Sequence, residues 1–483
     1  MQERPNIVFI LTDTLRADFL DVYNGRVKTK VIREIAKKST IYKNAIAPGT
    51  YTVPSHVSLF LNKRVRSIKS LTKDPMKYSD KNTDPFLKKS VYINKNELTL
   101  ARHLGMLGYD TALFSNNPFL SQSTGLGEGF SHIENLWFKD KIDKNRRSVK
   151  LVLELIENEK IKRSLVQLTY LISRVLPQRR LDKLYLDMRI RLNKHFSEEY
   201  GFYDLDKGIS KTTESIKKYV RGDDSKRPKF IFVNYMEPHE GYPTNLVKEG
   251  YVEQDKWLYL SGLAGSNARE GLDAIKGAYS KRIEYMDKKL GSFIDMLKRE
   301  GVLDNAIIII ASDHGQAFME HGVMYHNMFP YNEIANVPLI TSRFVSGKQI
   351  DTSEIVENPV STRALHESIL NVAYGKNDVI DGTLRRDNFI FSDHIGITEV
   401  WDKCLLEKLK YRSESVKKIY NVKKYHNTQA TAVYYKDYKL IHYFGRGIKD
   451  QLFDLSESGE EEDVTDSNRS IAYEMLNASK RYS

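Results

Sequence analysis

The chain has 483 residues, 41% of them hydrophobic and 29% charged, which excludes a disordered or fibrous protein and indicates a folded globular one. Lys and Arg outnumber Asp and Glu by 75 to 63, and the resulting charge of +12 favours anionic partners. Because this excess is modest and forms no basic motif with interleaved aromatics, nucleic acid is not an expected partner. The single cysteine, Cys404, excludes an intramolecular disulfide framework and a cysteine metal cluster.

The N-terminal segment passes from Arg4 and Pro5 directly into the apolar run IVFIL, without the basic region and cleavage site of a signal peptide. No uninterrupted apolar stretch reaches the ~18 residues of a membrane-spanning helix. We therefore predict a cytoplasmic protein. The sequence contains no pattern that fixes its oligomeric state.

Four short apolar runs, separated by helical stretches, each end in polar or charged residues. They are NIVFILTD from Asn6, YDTALFSNN from Tyr109, KFIFVNYMEPHE from Lys229 and AIIIIASDHG from Ala306. Runs of this kind indicate buried parallel strands, and ligands of such sheets bind at the carboxyl ends of the strands. The pattern predicts an α/β fold, with helices over residues 98–107 and 278–299 and Gly301 ending the second helix.

Two further regions differ from this pattern. Residues 138–224 are rich in Lys and Arg, poor in Gly and helical in periodicity, so we predict a helical insertion in a catalytic domain of residues 1–357. The insertion either packs over the sheet or contacts an anionic membrane surface as an amphipathic element. Residues 358–483 contain a helical stretch, a strand FIFSD and the alternating runs TAVYYKDYKLIHYF and DQLFDL, which predict a small antiparallel subdomain of the same fold.

Charged side chains at two strand ends suggest a metal site. Asp313 and His314 follow the fourth run, and Gly315 allows a tight turn beside a ligand. A carboxylate next to an imidazole suits Mn²⁺, Zn²⁺ or Mg²⁺. Asp13, at the end of the first run, is either a further ligand or the N-cap of a helix over LRADF.

The segment APGTYTVPSHVSLF places hydroxyl side chains and Pro54 just before a predicted helix that carries His56. A helix N-terminus offers free amide hydrogens to an anionic ligand. A Ser or Thr hydroxyl that is coordinated to a cation there would be a competent nucleophile toward phosphorus, although these residues also act as simple helix caps.

Taken in order, these segments resemble the sulfatase branch of the alkaline phosphatase superfamily. PNIVFILTDTLRAD is similar to the opening strand of that family, TVPSH to its nucleophile motif and IIIIASDHGQAFMEHG to its second metal motif. The resemblance implies a mainly parallel, alkaline-phosphatase-like sheet flanked by helices. It implies one divalent cation (Mn²⁺, Zn²⁺, Mg²⁺ or Ca²⁺), with room for a second, and the metal ligands Asp13, Thr52, Asp313 and His314.

The resemblance also implies catalytic and substrate-binding residues. Thr52 would be the nucleophile, and His239, in YMEPHEGYP, would face the substrate and protonate the leaving group, a role that a metal-bound water could also fill. The remaining candidate substrate contacts are three histidines: His56, His321 and His326. The expected substrate is an anionic ester, either a small molecule or a lipid or glycan head group.

Two departures from the family pattern favour phosphorus over sulfur. Sulfatases convert a Cys or Ser of the motif into formylglycine, whereas Thr52 cannot yield that aldehyde, and Thr14 replaces an acid that usually follows Asp13. A threonine can accept a phosphoryl group and release it to water or to another alcohol. We therefore predict a metal-dependent phosphate ester hydrolase or phosphotransferase. The alternatives are a sulfuric ester hydrolase that uses unmodified Thr52 and a non-catalytic protein that binds anions or lipids.

Overall fold

The computed structural model describes residues 4–67, 92–136, 205–223, 225–240, 268–322, 324–326, 329–376, 379–380, 384, 388–396, 428–444, 447–456 and 459–481. Most of the predicted insertion, residues 138–204, lies outside this range, and so do Cys404 and the predicted membrane contact. Within residues 205–223 the insertion forms one helix, Ile209–Arg221.

The described residues form eighteen strands and eight α-helices. The strands are β1 Asn6–Thr12, β2 Thr40–Tyr42, β3 Ala45–Ile46, β4 Asp110–Ser115, β5 His132–Asn135, β6 Lys229–Tyr235, β7 Asn305–Ser312, β8 Ala317–Phe318, β9 Met324–Tyr325, β10 Asn336–Val337, β11 Leu339–Val345, β12 Lys348–Ile350, β13 Glu354–Val356, β14 Val360–Ser361, β15 Ile390–His394, β16 Ala430–Tyr435, β17 Tyr438–Tyr443 and β18 Gln451–Asp454. The helices are α1 Lys30–Ala36, α2 Thr52–Leu61, α3 Leu100–Met106, α4 Ile209–Arg221, α5 Ala268–Arg299, α6 Asn332–Ala335, α7 Leu365–Ala373 and α8 Arg469–Arg481.

The four predicted strands are neighbours at the centre of the main sheet, in the order β7-β1-β6-β4. They pair in parallel, as their apolar sequences predict. Their carboxyl ends therefore meet at one edge of the sheet. Beyond β7 the sheet continues with β11, which is antiparallel to β7, and then with β2 and β13, so the sheet is mixed.

Helices cover both faces of this sheet. Alternate side chains of β1 point to opposite sides: Val8 and Ile10 pack with residues of α1, α4 and α5, whereas Ile7 and Phe9 pack with residues of α2, α3 and α7. The α5 helix ends at Arg299, and Gly301 has a left-handed φ of 71°, as a helix-terminating glycine should. The predicted α/β fold class is confirmed by this architecture.

The C-terminal strands form a separate four-stranded antiparallel sheet in the order β15-β16-β17-β18. Apolar side chains of this sheet, including Val433 and Leu440, pack against Met475 of α8. The sheet contacts the segment that leads into α2: the Asp393 amide donates to the Pro48 carbonyl (3.0 Å), and Thr50 Oγ1 lies 2.9 Å from His394 Nδ1. The predicted small antiparallel part is thus present, and it supports the start of α2.

Within the described residues, no helix combines the length and the apolar character needed to cross a membrane.

Candidate active site

The carboxyl ends of β1 and β7 bring together two acids that are three hundred residues apart in sequence. The Asp13 amide donates to the Tyr235 carbonyl at the end of β6 (2.7 Å), and the Asp313 amide donates to the Thr12 carbonyl (3.2 Å). Ser312 Oγ adds a bond to that same carbonyl (2.6 Å). These main-chain bonds fix the Asp13 and Asp313 side chains side by side. The helix after Asp13 is a short 3₁₀ helix, Ala17–Phe19, with Arg16 in the N-cap position, so the alternative in which Asp13 is an N-cap is wrong.

Thr52 is the first residue of α2, which begins earlier than the sequence predicts and includes Pro54 in its first turn. Its hydroxyl oxygen lies 3.4 Å from Asp13 Oδ2, to which it donates, and it is also close to Asp313. The nucleophile candidate is therefore located between the two carboxylates, and the start of α2 places it there.

Three ligand atoms in this cluster are buried and, among the described residues, have no hydrogen-bond partner: Asp13 Oδ1, Asp313 Oδ2 and His314 Nε2. His314 Nε2 lies 3.7 Å from Asp13 Oδ1 and 3.5 Å from Asp313 Oδ2. Ligand atoms about 2.1 Å from a tetrahedral ion lie about 3.4 Å apart, so this spacing fits one cation. The His314 Nδ1–H donates to the Gly315 carbonyl (3.0 Å), which leaves Nε2 as the ligand atom.

Burial shifts the pKa of each of these three groups. Burial and the neighbouring Asp313 carboxylate raise the pKa of Asp13 to about 6. Burial raises the pKa of Asp313 to about 8 and lowers the pKa of the His314 imidazole. A divalent cation would offset the raised pKa values of the two carboxyl groups, because it stabilises ionised carboxylates, and a lowered pKa keeps His314 in the neutral form that binds a cation. The residues present thus fit the predicted cation, with Asp13, Asp313, His314 and the Thr52 hydroxyl as its holders.

Asn117 also belongs to this site, although sequence reasoning did not select it. Its Nδ2 donates to Asp13 Oδ2 (2.7 Å) and lies 3.5 Å from Thr52 Oγ1. Its side-chain oxygen accepts from the Phe119 amide (2.9 Å), which fixes the orientation of the amide group. Asn117 follows β4, so the rule that ligand-binding residues follow parallel strands would have found it.

His56 lies one helical turn after Thr52 and is fully buried. Its Nδ1–H donates to the Thr52 carbonyl (2.8 Å), and the same nitrogen is 3.7 Å from Asp313 Oδ2. Burial lowers the pKa of His56 to about 4, so the ring is neutral at pH 7. In this structure His56 therefore contacts the main chain of the nucleophile, and a direct contact with substrate stays a prediction.

A second cluster lies beside the first and contains His239, Glu240 and His326, all partly exposed. His239 Nε2 lies 3.9 Å from Asp13 Oδ1, and the His326 ring packs on the His314 ring with centroids 4.6 Å apart. Two of the predicted substrate-binding histidines are thus adjacent to the first cluster. Glu240, which the sequence analysis did not select, lies between them.

Lys207 fixes the loop that carries His239 and Glu240. Its Nζ donates to the carbonyl oxygens of both residues (2.6 and 2.7 Å). Glu237 accepts from the amides of Lys207 and Ile209 (3.0 Å each), which ties the same loop to the start of α4. Burial and the charge of Arg282 lower the pKa of Lys207 to about 7. No local sequence pattern indicates this role.

The sequence profile of the sulfatase family matches residues 5–375 of the chain, which include both clusters. The chain belongs to the sulfatase family. An arylsulfatase of Clostridium perfringens is 21% identical over 419 residues, which are 80% of this chain and 78% of that protein. Arylsulfatase K of Canis lupus familiaris is 28% identical over 156 residues, which are 32% of this chain and only 26% of that relative's length.

The same fold occurs in a solved phosphonate monoester hydrolase of Agrobacterium radiobacter. The two structures superpose with a TM-score of 0.57 at 16% sequence identity, covering 99% of this chain and 94% of that one. The predicted resemblance to the sulfatases of the alkaline phosphatase superfamily is therefore confirmed for family and fold.

Thr14 of this sulfatase-family chain occupies a strained backbone position beside the metal ligands. Its φ of 62° is rare for a β-branched residue. The conformation is held because its amide lies 3.3 Å from Asp313 Oδ1, to which it donates, and its carbonyl accepts from the Tyr279 hydroxyl (2.7 Å). Backbone strain of this kind is typical of functional sites.

His321 makes its contacts in a third cluster, at the junction with the C-terminal sheet. Its Nδ1 lies 3.1 Å from Glu333 Oε1 and its Nε2 3.2 Å from the Glu460 carbonyl, and both partners are acceptors. A doubly protonated ring satisfies both. The prediction that His321 binds substrate gains no support from these contacts.

We expect the stability of the protein to fall at alkaline pH through His321. Burial alone would lower the pKa of His321, but the hydrogen bond and charge of Glu333 outweigh it and raise the pKa above 6.5. A raised folded-state pKa stabilises the fold below pH 6.5 and loses that contribution as pH rises through the folded value. The free energy of unfolding in urea, measured at pH 6 and pH 8.5, should show this loss in the wild type. The loss should shrink in His321→Gln, and an equal loss in both proteins would contradict this role.

Proposed function

We propose that this sulfatase-family chain is a metal-dependent hydrolase or transferase of phosphate esters, with Thr52 as its nucleophile. Membership of the family supports ester hydrolysis, and the position of the Thr52 hydroxyl supports the assignment of the nucleophile. That hydroxyl donates to Asp13 Oδ2 across 3.4 Å and lies close to Asp313, so a cation held by both acids would also contact it. This single arrangement carries the proposal.

A bound divalent cation supplies two effects here: it lowers the pKa of a coordinated hydroxyl and neutralises charge on a phosphoryl oxygen. The chain supplies the rest. Thr52 Oγ forms a bond to phosphorus as the bond from phosphorus to the leaving oxygen breaks; the hydroxyl gives up its proton and the leaving oxygen gains one. Water or a second alcohol then attacks the phosphothreonine, and the bond from phosphorus to Thr52 Oγ breaks.

Two residues position the nucleophile in this scheme. Asn117 donates to Asp13 Oδ2 and lies within 3.5 Å of the Thr52 hydroxyl, so it holds the carboxylate and orients the attacking oxygen. His56 fixes the first turn of α2 through its bond to the Thr52 carbonyl (2.8 Å). Both residues act through Thr52 or Asp13, and both are buried, so water has little access from that side.

We assign His239 and His326 to recognition of the phosphoryl group and its leaving oxygen. Both rings lie beside the cation ligands; the side chain of His239 is 21% exposed and that of His326 is 8% exposed, whereas those of Asp13 and His314 are fully buried. The exposed side of the site is where a substrate must enter. Polar groups that touch a phosphoryl oxygen or a leaving oxygen there contribute to the reaction through charge stabilisation.

The side chain of Thr52 also separates phosphate from sulfate as substrate. A threonine carries a methyl group on Cβ, so its oxidation gives a ketone and never the formylglycine aldehyde. Without that aldehyde, a sulfate ester on Thr52 has no elimination route by which to leave. A phosphoryl group on Thr52 needs no such route, because a second nucleophile can displace the threonine oxygen.

A comparison of phosphate and sulfate esters that share the p-nitrophenol leaving group tests this proposal. With Mn²⁺, Zn²⁺, Mg²⁺ or Ca²⁺ added, turnover of bis-p-nitrophenyl phosphate or p-nitrophenyl phosphate should exceed that of p-nitrophenyl sulfate by at least about 100-fold in kcat/KM. A preference for the sulfate would show a sulfuric ester hydrolase instead. Binding of the cation without turnover of any ester would favour the non-catalytic alternative. Added glycerol separates transfer from hydrolysis, because transfer yields a glycerol phosphate ester.

A further inference from the structure

The second cluster is joined by a side chain from the turn that carries two of the cation ligands. Gln316 follows His314 by two residues, and it is fully buried. Its Nε2 donates to Glu240 Oε2 (3.3 Å), and its Oε1 lies 2.8 Å from His326 Nδ1. Glu240 Oε2 also lies 3.2 Å from His239 Nδ1. Four side chains thus form one continuous series of hydrogen bonds, in the order His239, Glu240, Gln316 and His326.

The carboxylate of Glu240 fixes the direction of every bond in this series. An ionised carboxylate only accepts hydrogen bonds, so both of its neighbours must donate to it. His239 therefore carries a proton on Nδ1, and Gln316 turns its NH₂ group toward Glu240. The carbonyl oxygen of the same amide then faces His326, so Nδ1 of that ring must carry a proton as well. Glu240 and Gln316 thus assign the same tautomer to two imidazoles from different segments of the chain.

This tautomer leaves Nε2 of each ring to act on a ligand. In a neutral ring Nε2 accepts, and in a charged ring it donates while Nδ1 keeps its own partner, so the orientation is the same in both protonation states. His239 Nε2 lies 3.9 Å from Asp13 Oδ1, and the other oxygen of Asp13 accepts from the Thr52 hydroxyl. The His326 ring packs on the His314 ring with centroids 4.6 Å apart. Both rings are therefore held beside the proposed nucleophile and the cation ligands.

The main chain around Gln316 and Glu240 is fixed by contacts outside this series. The Gln316 amide donates to the Glu333 carbonyl (2.8 Å). Gly315 permits this approach, because a Cβ at that position would lie 2.1 Å from the same carbonyl oxygen. Lys207 Nζ donates to the main-chain oxygen of Glu240 (2.7 Å). Both side chains thus extend from an ordered main chain, as a preorganised site requires.

We propose that Glu240 and Gln316 are positioning residues of the ester reaction, which hold His239 and His326 with Nδ1 protonated and leave Nε2 of each ring to contact the substrate. Their role rests on the proposed function and deepens it at the leaving oxygen. As the bond from phosphorus to that oxygen breaks, a doubly protonated His239 gives it the Nε2 proton and keeps the Nδ1 proton on Glu240. The water or alcohol that attacks the phosphothreonine returns a proton to Nε2. A carboxylate that holds an imidazole in one tautomer and orientation is a recurrent feature of catalytic sites.

Leaving-group dependence tests the positioning role. Gln316→Met and Glu240→Met keep an extended side chain but remove its hydrogen bonds. With Mg²⁺ at saturation, kcat of each variant should fall by about 10- to 100-fold with phenyl phosphate, and KM should change less. The fall should be smaller with p-nitrophenyl phosphate, because its less basic leaving oxygen depends less on a proton donor. Glu240→Gln keeps an acceptor oxygen and should restore part of kcat.

Gln122→Ala is the matched control. Gln122 Nε2 donates to Glu128 Oε1 (2.7 Å), so this variant removes a bond between an amide and a carboxylate outside the cluster. It should leave the rates with both esters unchanged. Melting temperatures show whether each variant is folded.

The tautomers can be measured without turnover. In protein labelled with ¹⁵N-histidine and loaded with Mg²⁺, which is not paramagnetic, two-bond ¹H–¹⁵N spectra distinguish rings protonated on Nδ1 from rings protonated on Nε2. His239→Asn and His326→Asn identify the two signals among the 12 histidines. Both rings should carry a proton on Nδ1 in the wild type. His326 should lose this preference in Gln316→Met, and His239 should lose it in Glu240→Met.

Two results would overturn the positioning role: equal changes of kcat with the two esters in both methionine variants, or a wild-type His239 without a proton on Nδ1. The wild-type spectra decide the matter even where a variant fails to fold. Neither result refutes the proposed function, which Thr52→Ala tests separately. Absence of phosphate ester turnover in the wild type would refute the function, whereas the spectra would still report the two tautomers.

Discussion

Replacement of Thr52 by alanine should abolish turnover of bis-p-nitrophenyl phosphate, with kcat falling by about 10³-fold or more. The hydroxyl donates to Asp13 Oδ2, and its oxygen is the atom that would form the covalent intermediate. The helix should persist, because the hydroxyl of Thr52 bonds Asp13 and Asn117 and not the main chain of α2. Initial rates with added Mn²⁺ or Zn²⁺, together with circular dichroism, measure both expectations.

Two variants make this result specific to the nucleophile. Ser58→Ala removes a buried hydroxyl from the same helix, one that has no hydrogen-bond partner among the described residues, and it should retain turnover. Thr52→Ser keeps a hydroxyl at the position and should retain a measurable rate. Mass spectrometry of protein quenched during turnover should find the phosphoryl group on the Thr52 peptide. Full activity in Thr52→Ala would remove Thr52 from the mechanism.

The sequence predicted the centre of the sheet because buried parallel strands have an unambiguous composition. The run AIIIIA of β7 and the run IVFIL of β1 are apolar on both faces, which only a doubly covered strand can satisfy. Because the carboxyl ends of parallel strands meet at one edge of the sheet, these two strands place Asp13, Asp313 and His314 together at that edge. Strands β2 and β13 have only three residues each, and β11 contains the polar residues Thr341, Ser342 and Arg343, so the periodicity of these strands is too weak to identify them.

Thr52 could be predicted only through the family resemblance. It begins a helix rather than ending a strand, and its approach to Asp13 depends on how the segment from Ala47 to Tyr51 crosses the sheet edge. That path is fixed by contacts with β15, whose Asp393 and His394 are more than three hundred residues away. Asn117, in contrast, follows a predicted strand, so the rule that ligands bind at the carboxyl ends of parallel strands, which selected Asp13, could also have selected Asn117.

The second cluster shows where local sequence information ends. Glu240 directly follows the predicted His239, and Gln316 lies two residues after His314, yet only the fold shows that they meet His326. Lys207 offers even less signal, because one lysine in a Lys-rich segment is normally a solvated side chain. Its burial arises from the packing of the start of α4 against the loop after β6, a long-range contact that no periodicity records.

Asp13→Asn should remove cation binding at the first cluster and, with it, nearly all turnover. The change preserves the shape of the side chain but removes one of the two carboxylates. Loss of this charged ligand should lower the affinity for the cation by at least about 100-fold. The effect of this substitution on the free energy of unfolding should change sign between metal-free and metal-loaded protein. In chelator-treated protein the variant is at least as stable as the wild type, because it relieves repulsion between two fully buried acids, Asp13 and Asp313. With Mn²⁺ at about 100 times its Kd, the wild type gains about 2.7 kcal/mol from that site and the variant does not.

Asp287→Asn is the control that separates this effect from the general loss of a buried carboxylate. Asp287 is buried under α1, where its two oxygens accept from the amides of Val31 (2.9 Å) and Ile32 (2.8 Å). Its replacement should lower the melting temperature equally with and without Mn²⁺, because its partners are amides that are present in both states. If Asp13→Asn behaved like Asp287→Asn, with the same loss in both conditions, Asp13 would be a structural acid and the cation site would have to lie elsewhere. If only Asp13→Asn changes from neutral or stabilising without Mn²⁺ to destabilising with Mn²⁺, then a cation, and not a hydrogen-bond donor, compensates the charge of the two buried carboxylates.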